Sequence, residues 1–149
     1  MNRPVVGRPL KSGVRTEVTS DELQEHIDTI EETYEFFLAY AAQGVSGSGA
    51  GISGELTRYL GRADQALAAF EEGIGGAVVG VDATIVAAMD EVVQQDAKST
   101  RAALGMVMAQ SSISSQLIDN LNASIHFRAL LTDLFLVDEA LKTALANAE

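Results

Sequence analysis

From Asp82 to Glu149 the chain has no proline and one glycine, Gly105. An apolar or small polar residue returns there every three or four positions: Ile85, Met89, Val92, Ser99, Ala103, Met106, Ile113, Leu117, Phe127, Leu131, Leu134 and Leu141. That spacing keeps one face of an α-helix turned toward a partner over roughly nine heptads, about 100 Å if unbroken. A chain of 149 residues must fold such a stripe back on itself or share it with another subunit. The tract is best divided at Gln110-Ser111-Ser112, where poor helix formers interrupt the stripe, and Asn120 to Ser124 is a second weak stretch. Helices are predicted over about 82–109 and 113–147, with a single long helix as the alternative.

Upstream, the same period appears twice more. Leu23, Ile27, Ile30, Tyr34, Phe37 and Ala41 form the stripe of a first helix, opposite an acidic face of Glu25, Asp28, Glu32 and Glu35. Thr19 with Glu22 three residues on has capping-box spacing, Val18 and Leu23 are placed as a hydrophobic staple, and Gly44 ends the helix. Leu56, Leu60, Ala63, Leu67 and Phe70 mark a second helix from about Glu55 to Gly73, antiparallel to the first. Two glycine-rich stretches separate these elements. Gly44 to Gly54 reads GVSGSGAGISG, a flexible connector, and 73–80 reads GIGGAVVG, a turn into the long tract.

Residues 1–17 hold both prolines, Pro4 and Pro9, around Val5, Val6 and Leu10, which reads as an extended arm. Charge sharpens that reading. Arg3, Arg8, Lys11 and Arg15 give residues 1–16 a charge of +4 with no acid, against a net charge of −11 for the whole chain. Such an arm suits docking through backbone hydrogen bonds and the Val5, Val6 and Leu10 side chains, with Arg8 and Lys11 supplying charge complementarity. The expected receptor is a protein, either a neighbouring subunit or a different partner.

Composition narrows the rest. Hydrophobic residues make up 47% of the chain but aromatics only 5%, which suits closely packed helices better than a sheet. Without cysteine there are no disulfides, iron–sulfur clusters or thiolate zinc sites. The acidic balance disfavours nucleic acid, since phosphate binding rests on Lys and Arg. No secretory leader or membrane-spanning run is visible, so a cytoplasmic location is expected.

Candidate chemistry is sparse. Glu22 and His26 are i, i+4 neighbours, followed by Asp28, Glu31, Glu32 and Glu35, and helical bundles do gather such groups around metals. A dinuclear carboxylate site, however, needs Glu-x-x-His from two helices, and neither His26 nor His126 has that spacing. A solvated acidic face is the simpler reading. Arg58 and Arg62 lie one turn apart, with Lys98 and Arg101 on the next helix. Small helical enzymes of the chorismate mutase type clamp a dicarboxylate with such cations, and ion pairs between helices are the plainer alternative. Gly49, Gly51 and Gly54 match GxGxxG but lack a preceding strand, and no Gly-Lys-Ser/Thr follows.

The expectation is an all-α antiparallel bundle of about four helices over 18–149, with the arm at 1–17. No cofactor is expected. The function best matched is a non-catalytic, self-associating interaction protein, an assembly, scaffold or accessory subunit. Leu117, Leu121, Phe127, Leu131 and Leu134 are expected to carry self-association as a homo-oligomer, and Val5, Val6, Arg8, Leu10 and Lys11 to hold a protein partner. The alternatives are a metal or small-ligand bundle built on Glu22 and His26, and a small helical enzyme using Arg58, Arg62 and Arg101.

Overall fold

The computed structural model describes residues 19–44 and 54–148, and every regular element in them is helical. In chain order these are α1 (Ser20–Ala42), α2 (Gly54–Glu72), a short 3-10 turn (Gly75–Ala77), α3 (Ala83–Met108), α4 (Ser115–Ala123) and α5 (Ile125–Ala148). The all-α bundle expected from the periodicity is what the chain forms. The arm at 1–17 and most of the glycine-rich connector lie outside the described residues.

Local sequence sets the helix ends. Thr19 Oγ1 accepts from Glu22 N at 3.2 Å while Glu22 Oε1 accepts from Thr19 N at 3.0 Å, closing the capping box. Asp82 caps α3 by accepting from Thr84 N at 2.7 Å. Ser114 and Ser124 do the same for α4 and α5, accepting from Leu117 N at 3.1 Å and Phe127 N at 3.2 Å. The predicted division at 110–112 is present, and Ser124, with ψ of 143°, breaks the remaining tract a second time. The last expected helix is therefore two, because serine hydroxyls satisfy the amides that a break leaves open.

Four corners make up the bundle. α1 packs against α2 and α4, α2 against α3, and α3 against α5, with α4 and α5 sharing the fourth corner. Tyr40 Oη donates to the Ile113 carbonyl at 2.6 Å, and Ser115 Oγ donates to the Tyr40 carbonyl at 2.8 Å. These bonds fix the start of α4 at the far end of α1, so α4 runs back along it. Ala144 near the end of α5 meets Gly80 just before α3, which makes those two helices antiparallel as well. Leu23, Ile27, Ile30, Leu56, Phe70, Val93, Ile118 and Leu134 fill the centre with essentially no exposed surface. Each such aliphatic or aromatic side chain stabilises the fold by about 1.5–3 kcal/mol relative to exposure.

One face differs from the expectation. The buried side of α3 is Val86, Asp90, Val93, Ala97, Thr100, Leu104 and Val107, one position on from the stripe read in the sequence. Three apolar doublets, Ile85-Val86, Val92-Val93 and Met106-Val107, allow either register. The face that packs inward carries Val93, Ala97, Thr100, Leu104 and Val107, all buried. Of the expected stripe, Ile85, Val92 and Met106 are left at the surface, while Met89 and Ala103 pack partly buried against the core.

Candidate functional site

The turn between α2 and α3 is held by a buried carboxylate. Asp90 Oδ1 accepts from Ile74 N at 2.9 Å, so a helix side chain takes the place of a missing backbone partner. Gly73, at φ +119°, makes the turn that delivers Ile74 to it. Gly80, at φ +85°, then brings the chain against α5; a Cβ there would stand 3.0 Å from Ala144 Cβ. Between these two pins the segment 74–81 forms one wall of an apolar groove.

The groove encloses about 270 Å³ and is bounded by Ile74, Val78 and Val81, by Ile85, Val86 and Met89 of α3, and by Leu136, Val137 and Ala140 of α5. Every lining residue is apolar. It has no group that could act as acid, base or nucleophile, so its chemistry is that of a surface for hydrophobic side chains. Beyond it α3 leaves further aliphatics outside: Ile85 is 63% exposed, Val92 45% and Met106 68%, with Gln95, Asp96 and Ser99 between the last two, and Leu136 of α5 is 60% exposed. Isolated exposed aliphatics are ordinary, but four bordering one helix–helix seam form a patch.

The other candidates come apart on inspection. Leu121, Phe127, Leu131 and Leu134 are buried inside the subunit and Leu117 is partly buried against the same core. They are engaged in the intramolecular core. Val5, Val6, Arg8, Leu10 and Lys11 fall outside the described residues. Glu22 is engaged by the capping box, and His26 sets its ring edge-on to Phe70 with centroids 5.9 Å apart. Among the described residues no three His, Asp or Glu side chains gather as a metal site. Arg58 pairs with Glu55 at 3.8 Å and Arg62 with Glu32 at 3.3 Å, both flanking the Tyr59 ring. Arg101 pairs with Asp64 at 2.9 Å and with Glu71 at 3.3 Å. Arg62 and Arg101 thus pair across two helix seams and Arg58 within α2, each beside its own carboxylates, and the three do not converge on a pocket.

A carboxyl pair bridges α3 and α5. Asp133 is buried beside Asp96, and burial first, then the adjoining Asp96 carboxyl, pushes Asp133 up to about 7. With both groups ionised, buried Asp133 Oδ2 has no hydrogen-bond partner. A proton on Asp133 supplies the donor that the pair lacks.

Comparison with protein-family models, with curated proteins and with solved structures finds no match for this chain. No helix among the described residues is long and apolar enough to cross a membrane. Ile85 and Met89 were read as stripe positions but the groove itself went unread in the sequence, although two signals were there. One was the apolar centre of GIGGAVVG, and the other the off-stripe pair Phe135-Leu136.

Proposed function

We propose that this chain is a non-catalytic helical interaction protein that self-associates through the outer face of α3 and holds a protein partner with its basic arm. The observation that carries the reading is the exposure of Ile85, Val92 and Met106, on a helix whose opposite side already fills the subunit core. An unpartnered apolar face beside a complete core favours association over catalysis.

The spacing suggests how copies meet. Val92, Ser99 and Met106 are seven residues apart and symmetric about Ser99. Two antiparallel copies of α3 related by a two-fold axis at Ser99 would set Val92 of each against Met106 of the other. The small serine at the crossing lets the helices approach, and its polarity fixes register at some cost in stability. A cytoplasmic setting belongs to the same proposal.

The test is light scattering on the native chain and on Val92→Glu/Met106→Glu. Both sites are solvent-facing, so the variant keeps its helical circular dichroism. The proposal expects an oligomer for the native chain and a monomer for the variant. A native chain that stays monomeric at every accessible concentration, or a variant that assembles like the native chain, would overturn it.

A further inference from the structure

The groove has a candidate occupant within its own chain. Residues 1–18 join the described chain at Thr19, at the start of α1, and that point is fixed. Ser20 Oγ donates to the Ala77 carbonyl at 2.9 Å, and the next residue, Val78, lines the groove. Eighteen residues precede Thr19. Extended, they reach up to about 60 Å, so length places no limit on a site beside their point of attachment.

Chemistry matches at both ends. Val5, Val6, Leu10 and Val14 alternate with Arg3, Arg8, Lys11 and Arg15, and no acid occurs before Glu17. The described residues carry 19 acidic and six basic side chains. Two exposed acids are chain neighbours of lining residues: Asp82, which caps α3, follows Val81, and Glu139 precedes Ala140. The groove wants aliphatic side chains, its rim wants cations, and the segment tethered beside it offers both in alternation. Tethering also sets the competition, because a segment on a short flexible link meets its site at millimolar effective concentration. A second copy at ordinary cellular concentration starts at a disadvantage.

We propose that a stretch within residues 5–14 lies in the groove of the same chain. Val5, Val6 and Leu10 fill it between Ile85 and Leu136, and Arg8 and Lys11 face the acidic rim. The contact shares Ile85 with the exposed face of α3 but leaves Val92 and Met106, the residues proposed to meet between copies, uncovered. It also sets a condition on partner capture: a partner must first draw the arm off its own groove.

The chain has no cysteine, so Val6→Cys accepts a single nitroxide. The spin-labelled, ¹⁵N-labelled full chain is diluted into an excess of unlabelled native chain and its amide spectrum compared with that of the reduced label. The proposal expects selective broadening at Val78, Val81, Met89 and Leu136. Tyr40 and Ser115, at the opposite end of the bundle, should keep their intensity. Adding Leu136→Glu, a change at an exposed position that the fold tolerates, should abolish the pattern. Absent or uniform broadening would overturn the proposal, as would broadening that survives Leu136→Glu. So would broadening seen only when nitroxide and ¹⁵N reside on different chains, since the arm would then belong to a neighbour's groove.

Discussion

Replacing Asp133 by Asn removes a proton-binding site from the seam between α3 and α5 while keeping a hydrogen-bond donor for Asp96. In the folded chain Asp133 is pushed up to about 7, first by burial and then by the neighbouring carboxyl. In the unfolded chain it titrates near its ordinary value of 3.8. Between those two pH values the folded state holds more protons than the unfolded state, so stability must fall as pH rises. It is greatest below about pH 4 and its loss is complete just above pH 7. At about 1.4 kcal/mol per pH unit the full interval would amount to about 4 kcal/mol. Asp96 is only half-buried, and water screening of the pair makes about 2–4 kcal/mol the working range. The assay is urea unfolding followed by far-ultraviolet circular dichroism, at several pH values from 4.5 to about 8, where the proton should be lost. Glu31, raised by burial and by Asp138 and Asp28, adds a slope of the same sign to both proteins, so the difference between the two curves isolates Asp133. Native and variant should differ least at pH 4.5, by at most about 1 kcal/mol, and diverge steadily, with the variant more stable by about 2–4 kcal/mol at pH 8. Parallel curves across the range would refute the reasoning.

Three further outcomes follow from the same structure. Asp90→Ala strands the buried Ile74 amide and should cost about 1–3 kcal/mol, with hydrogen exchange at Ile74 accelerating beyond the global change. Gly80→Val forces a β-branched residue into φ +85° against Ala144; it should cost at least about 1–3 kcal/mol in the melting transition and weaken any probe binding in the groove. Thr19→Ala opens the capping box and should remove about 1 kcal/mol, fraying the first turn of α1 without touching α3 or α5.

Helix existence was legible because the signals were local. Thr19 with Glu22 and the stripe Leu56, Leu60, Ala63, Leu67, Phe70 each lie within a few turns of chain, and both appear where the pattern placed them. What failed depended on distant partners. Ile85 and Val86 are equally good core residues by type, and only packing against α2 and α5 decides which turns inward. Phe127 and Leu134 looked available for a second subunit because the weak stretch at Asn120 to Ser124 could not show that α5, once broken from α4, packs along α3. The groove was hidden for the same reason. Its walls come from 74–81, α3 and α5, three segments that meet only after the chain has folded.

The central claim is that the outer face of α3 is an interface between copies, crossing at Ser99. The most direct measurement is disulfide trapping in this cysteine-free chain, comparing Ser99→Cys with Lys98→Cys, an exposed neighbour turned toward α2. Under mild oxidation of the folded protein, the account predicts that Ser99→Cys gives a covalent dimer and Lys98→Cys does not. Equal trapping at both positions, or none at Ser99, would contradict it.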